Sequence, residues 1–459
     1  MKTLIKNGLL VLAEGCVRAD LLLEEERIVA IAPDLKDKQA ELYDAEGCMV
    51  FPGFIDAHTH LDMDTGACHT ADDFASGSHA ALLGGTTTVL DFATQQRGDS
   101  LQAALIHWHQ LAEGKAWCDY GFHMAITDWN ASCALELPHL IEQGISSFKV
   151  YLAYQQLRLS DAAIFDLSGH LRLLGGLLML HCENGDLVEG LSQRLAAEGR
   201  LSPEAHAMSR PPYVEAEAVG RALAIAEATG TVPYIVHVSS ERALEAARAA
   251  RLRGQKVWLE TCPQYLLLDD RLYQQEFAEA AKYVCSPPLR GAADKEFLWQ
   301  ALLQGEFDVV ATDHCSFNLA GQKELGREDF RLIPNGLPGV EHRPLLLYSY
   351  GVAQGRLSPP QMAMLAAENP ARIFGLYPRK GVLREGSDAD IVVIEPDSPY
   401  MIEAKKQWQN VDYTPYEGME LTARLRAVWL RGELMVEDGR LLAEKPRGQY
   451  LARGPSAGV

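Results

Sequence analysis

Met49-Val50-Phe51-Pro52-Gly53-Phe54-Ile55-Asp56-Ala57-His58-Thr59-His60 opens on an apolar run, 49–56, and closes on a histidine pair. The run is the first of eight. The others are 86–92 (TTTVLDF), 120–126 (YGFHMAI), 147–153 (SFKVYLA), 177–181 (LLMLH), 233–239 (PYIVHVS), 256–262 (KVWLETC) and 308–314 (DVVATDH). Stretches of helical periodicity such as ERALEAARAARLRG (241–254) separate them, which is the pattern of βα units wound around a parallel sheet. Eight such units predict an α/β fold of the (β/α)8, TIM-barrel type rather than an open sheet.

Outside this region the periodicity changes. Residues 1–48 alternate like paired strands: TLIK, an Asn7-Gly8 turn, LLVL, then ADLLLEEERIVAIAP. After helical segments over 339–375 the chain returns to β character, with a hairpin turn expected at Glu437-Asp438-Gly439. The two β ends are expected to pair into one composite β-sandwich flanking the barrel. The domain division is therefore 1–52 (sandwich, first part), 53–377 (barrel) and 378–459 (sandwich, second part, and tail).

The 459 residues carry 42 Lys and Arg against 62 Asp and Glu, a net charge of −20. Such a field repels phosphate backbones and anionic lipid, so neither nucleic acid nor membrane is an expected partner. No apolar run approaches the ~20 residues of a spanning helix. The N-terminal stretch lacks the pattern of a secretory leader. Nine scattered cysteines without a Cys-x-x-Cys indicate neither a disulfide framework nor a four-cysteine zinc site, and a reducing cytoplasm fits them best.

In a (β/α)8 barrel the catalytic groups sit at the C-terminal ends of the strands. Five of the eight runs end on or contain groups suited to such a site. These are His58 and His60 after the first, Lys149 in the fourth, His181 ending the fifth, His237 in the sixth and Asp313 at the end of the eighth. Imidazole with carboxylate suits zinc or a similar divalent ion. Singly, each has an ordinary explanation. A His-x-His pair is a common accident, a lone strand histidine is usually bonded to backbone, and an aspartate after a strand often caps a helix. Those explanations do not account for all of them falling at one barrel mouth. His107, His109 and His139 stand in helical or loop contexts and are assigned no function.

Lys149 stands out because an ammonium inside the apolar run Ser-Phe-Lys-Val-Tyr is expensive to bury. Either it pairs with a barrel carboxylate, or burial lowers its pKa until the neutral amine takes up carbon dioxide as a carbamate, an anion able to bridge two cations.

The stretches Gly53–Met63, Phe148–Tyr151, His181–Gly185, Ile235–Ser239, Glu260–Tyr265, Thr312–Cys315, Pro334–Glu341 and Gly386–Asp390 together resemble the dihydropyrimidinase and hydantoinase branch of the amidohydrolase superfamily, most of all bacterial phenylhydantoinases. The resemblance runs nearly end to end. It implies two divalent cations, usually zinc: His58, His60 and Asp313 on one, His181 and His237 on the other, and Lys149 bridging as N6-carboxylysine. It further implies that Tyr154 donates to the scissile carbonyl, that backbone groups at Ser286 and Asn335 align a small cyclic amide, and that the protein is a homotetramer. Asp313 would be the proton shuttle of a hydrolytic ring opening that yields an N-carbamoyl amino acid. Turn chemistry alone would also explain Asn335-Gly336. A dihydroorotase carries Arg two residues after its His-x-His, where this chain has Asp62. Allantoin is a second candidate substrate, and non-catalytic scaffold relatives of the branch, which lack several of the ligands, are the alternative of a different class. The loops carrying Leu61 and Met63, and Tyr151 and Leu157, are expected to form an apolar pocket for the substrate's exocyclic group.

Overall fold

In the computed structural model, which describes residues 2–456, eight parallel strands follow one another in chain order around a single sheet. They are Phe54–Thr59, Thr86–Thr94, Asp119–Ala125, Ser147–Tyr151, Leu177–His181, Pro233–Ile235, Trp258–Thr261 and Val309–Val310. The ring closes between first and last through a parallel bridge from Thr59 to His314, with His60 N donating to His314 O at 2.8 Å. Buried on both faces, these strands read as continuous apolar runs, which is why they are legible without alternation.

Helices pack outside the ring. Asp73, Ser100, Asn130, Ser160, Asn184 and Ser240 start six of them, each side chain accepting an amide hydrogen that the first helical turn leaves unpaired. Inside the ring, Ile55, Leu90, Phe92, Met179, Tyr234 and Val236 form a packed inner cluster, sealed at the N-terminal end of the strands by Phe374 and by Leu451 of the C-terminal segment. Each such fully buried side chain contributes roughly 1.5–3 kcal/mol. The interior is thus core below and site above.

The predicted composite β unit forms from both ends. A seven-stranded sheet runs Arg440–Leu441, Glu433–Glu437, Arg424–Leu430, Ile391–Glu395, Met49–Pro52, Leu9–Leu12, Gly15–Arg18, and a four-stranded sheet holds Lys2–Lys6 between Asp20–Glu24 and Glu41–Asp44. The hairpin at 438–439 is present, with Asp438 and Gly439 both at positive φ. Two details differ from expectation. The run 49–56 is two strands: Met49–Pro52 pairs antiparallel with Ile391–Glu395, and only Phe54 onward enters the barrel. Nor do TLIK and LLVL pair across Asn7-Gly8. The turn, with Asn7 at φ 64°, carries the chain from one sheet to the other, and at Gly8 it passes so close to Val50 that a Cβ there would stand 2.6 Å from its side chain.

A buried ionic cluster ties barrel to sandwich. Lys380 Nζ lies 2.6 Å from Asp119 Oδ2, 2.7 Å from Asp390 Oδ2 and 3.0 Å from Asp388 Oδ2, and Arg431 bonds the other oxygen of Asp119. All nine cysteines are free thiols. No helix among the described residues is long and apolar enough to cross a membrane.

Candidate active site

The first barrel strand slips register against the second between Asp56 and Thr59, so that three residues span what two span on its neighbour. Such a bulge re-aims side chains. Ala57 still belongs to the inner cluster, while His58 and His60 now both reach the mouth and meet Asp313 from the end of the eighth strand. His58 Nε2 lies 3.1 Å and His60 Nε2 3.3 Å from Asp313 Oδ1. The potential donor atoms of the three residues all lie within 4.8 Å of one another.

His58 is held by a residue to which the sequence pattern assigns no role. Glu260, wholly buried on the seventh strand, places Oε1 2.7 Å from His58 Nδ1 and also accepts from His237 N at 3.1 Å and from the Tyr234 hydroxyl at 2.7 Å. With Nδ1 bonded to that carboxylate, His58 Nε2 faces the mouth 3.1 Å from Asp313 Oδ1 but without hydrogen-bond geometry to it or to any other group among the described residues.

The fifth and sixth strands supply the second pair. His181 Nδ1 and His237 Nε2 stand 2.9 Å apart, and the rings of His237 and His58 have centroids 5.5 Å apart, so the two groups adjoin. His181 Nε2 is bonded to Glu183 Oε2 at 3.0 Å, itself 2.8 Å from Arg210 Nη1. His237 Nδ1 is buried without a partner. Two imidazole nitrogens left unpaired in a buried site, one of them on a ring whose other nitrogen Glu260 fixes, fit a divalent cation such as zinc.

Lys149 lies among these groups, its ammonium 4.8 Å from the centre of the Phe92 ring and 5.4 Å from that of Tyr151. Burial pushes its pKa down to about 8, against the pull of Asp313 and Glu260. Burial likewise takes His60 down to about 4, leaving it neutral at pH 7. Burial opposes ionisation of Asp313 too, but His58 and His60 hold its carboxyl well below the usual range.

Tyr154 stands beside this set, its ring centroid 5.3 Å from that of His181. Burial pushes its phenol up to about 12, while the Arg210 guanidinium, 5.5 Å over its ring, and the side chains of Ser286 and Asn335 work the other way. The structure thus brings Tyr154, Ser286 and Asn335 to one edge of the mouth. Tyr154, His237 and Asp313 all adopt positive φ, at 66°, 39° and 52°, a strain that side chains other than glycine accept where surrounding structure imposes it.

Further residues brace the first strand and the eighth. Asp91 takes bonds from Leu61 N and Thr59 Oγ1, both at 2.8 Å, and fixes the segment between the two mouth histidines. Asp72 bonds His314 Nε2 at 3.1 Å, next to Asp313. His107 and His139 are exposed and His109 rests on Tyr450, in keeping with no role. Leu61 is a correction: it is fully buried under Gly77 and faces the helix Phe74–Leu83, because the Asp91 bond turns its backbone away from the mouth. Met63 is half-buried, while Tyr154 and Leu157 pack against the inner cluster.

A barrel with four imidazoles, a lysine and a carboxylate gathered at its C-terminal mouth belongs to the class of enzymes built for metal-assisted hydrolysis. The chain belongs to the Amidohydrolase family, whose model matches residues 49–435. It is 44% identical to the D-hydantoinase of Geobacillus stearothermophilus over 455 residues, 99% of this chain and 97% of that one. It is 41% identical to the D-phenylhydantoinase of Escherichia coli O81 (strain ED1a) over 458 residues, 99% of each. Among solved structures, that of the dihydropyrimidinase from Brevibacillus agri NCHU1002 superposes with a TM-score of 0.98 at 42% identity, covering 100% of both chains.

Proposed function

We propose that the protein hydrolyses the ring amide of 5-substituted hydantoins, preferring D-5-aryl substrates, and of dihydropyrimidines, to give N-carbamoyl amino acids. The observation that carries this reading is the convergence of His58, His60, His181, His237, Lys149 and Asp313 at one mouth, in a chain similar over its whole length to enzymes named D-hydantoinase and D-phenylhydantoinase. Those names support the D preference. The apolar surround of Tyr154 and Leu157 favours an aryl group over the polar ureido group of allantoin.

In this reading His58, His60 and Asp313 would hold one zinc ion, His181 and His237 would hold a second, and Lys149, as N6-carboxylysine, would supply the anion between them. The neutral amine attacks carbon dioxide, forms a C–N bond and releases one proton. The lowered pKa of Lys149, and the lack of any carboxylate within ion-pair distance of its amine among the described residues, support that step. When bound, the cations supply Lewis acidity for a water and for the ring carbonyl. Asp313 takes the proton of the attacking water and returns it to the departing ring nitrogen. Tyr154 donates its hydroxyl hydrogen to the carbonyl oxygen as charge develops there, and backbone groups at Ser286 and Asn335 hold the ring.

The boundary at 52/53 is supported by Met49–Pro52 pairing in the sandwich while Phe54 begins the barrel, and that at 377/378 is proposed with it. The resemblance supports a homotetramer, and nine free thiols with a charge of −20 support a cytoplasmic location.

Removal of metal tests the core of the proposal. Chelated protein should lose formation of N-carbamoyl product from 5-phenylhydantoin and regain it with zinc. Full activity in protein shown to be metal-free would overturn it.

A further inference from the structure

Lys323 is fully buried, in the short turn Lys323–Gly326 of the loop that follows the eighth strand. Its ammonium donates to two carbonyl oxygens, those of Val284 and Pro334, each at 3.0 Å. Among the described residues no carboxylate lies within ion-pair distance of it. Burial lowers its pKa to about 8. Withdrawing a lysine from water for two backbone oxygens is costly, so what those oxygens belong to matters.

Val284 and Pro334 lie two residues and one residue ahead of Ser286 and Asn335. Gly336 N donates to the same Val284 oxygen at 3.0 Å, so segments 284–286 and 334–336 are joined both directly and through the lysine. The lysine's own turn is packed hard onto the second segment, since a Cβ on Gly326 would stand 2.1 Å from the Ile333 side chain. One cation therefore spans the two segments behind the edge of the mouth where Tyr154 stands.

We propose that Lys323 is a positioning residue that sets the spacing of the backbone groups at Ser286 and Asn335, and with it the fit of the substrate ring. This rests on the reading that those two residues hold the ring. The Lys323 ammonium hydrogen-bonds to neither a candidate metal ligand nor Tyr154, so its loss should act on ring binding rather than on the metals or the proton steps.

The test compares Lys323→Met, which keeps the length and loses the donors, with Lys323→Gln, which keeps N–H donors. Zinc content, thermal unfolding, and kcat and KM for 5-phenylhydantoin are measured on each. The expected result is a KM raised about tenfold or more in Lys323→Met, with kcat per zinc-loaded site within about threefold of wild type and an intermediate KM in Lys323→Gln. An unchanged KM, or a loss confined to zinc content and kcat, overturns the proposal. Should Lys323→Met fail to fold, Lys323→Gln decides alone: a raised KM with zinc retained supports it, and a wild-type KM overturns it. A crystal structure of the wild-type enzyme with 5-phenylhydantoin separates the two levels. A ring held away from residues 286 and 335 removes the underlying reading, whereas a ring held by them with an unaltered KM in the variants removes only the role of Lys323.

Discussion

Glu260 Oε1 stands 2.7 Å from His58 Nδ1, and the same oxygen accepts from His237 N, so one buried carboxylate orients a residue of each histidine group. A carboxylate behind a metal-binding imidazole fixes its tautomer and raises its basicity. Glu260→Gln should therefore weaken metal retention by about 10- to 100-fold while the protein stays folded, read by zinc content after dialysis against graded chelator. Wild-type retention would leave Glu260 a purely structural group.

The Lys149 variant tests the bridge. Two cations at this mouth need more anionic charge than Asp313 alone supplies, and an ammonium between them would repel both. Lys149→Ala should lose metal and activity together, and short carboxylic acids should restore part of each. Restoration by alkylamines but not by carboxylates would contradict a carbamate.

Asp313→Asn keeps an oxygen where Asp313 would meet a cation but cannot accept a proton. Turnover should fall by a factor on the order of 10² or more while much of the metal stays, measured as kcat per zinc-loaded site. Nearly normal kcat would move the proton transfer to another residue.

The cluster of Lys380 with Asp119, Asp388 and Asp390 concerns stability rather than chemistry. Burial opposes the Lys380 charge, but Asp390, Asp119 and Asp388 raise its pKa. Lys380→Met leaves Asp390 buried without a cation, while Asp119 keeps Arg431 and Asp388 keeps Arg27 and Arg379; urea unfolding should show a loss of about 3–5 kcal/mol, the scale for removing one partner of a buried ion pair.

Sequence and structure agree most closely where the signal is local. Apolar runs ending in His60, His181 and Asp313 are legible because buried parallel strands and their C-terminal ligands leave a mark within a few residues. Partner choice is not local. Lys2–Lys6 and Leu9–Leu12 alternate like two arms of a hairpin, yet the first pairs with Asp20–Glu24 and Glu41–Asp44 and the second with Gly15–Arg18 and Met49–Pro52, partners distant in the chain. Glu260 is not legible for the same reason, since its role follows from ring closure, which brings the seventh strand within one strand of the first. The place of Leu61 after the histidine pair points to the mouth, whereas its bond to Asp91 turns it into the core.

The proposed function centres on a preference of this apolar-rimmed mouth for D-5-arylhydantoins. Burying a phenyl group of ~150 Å² at roughly 25 cal/mol per Å² yields at most a few kcal/mol, enough for one to two decades of preference after ordering costs. The decisive comparison is kcat/KM of the zinc-loaded enzyme for D- and L-5-phenylhydantoin, dihydrouracil and allantoin. The D-phenyl substrate should come first, ahead of dihydrouracil and allantoin by about tenfold or more. Allantoin above both phenylhydantoins, or no ring opening of any hydantoin by fully loaded enzyme, would refute this assignment.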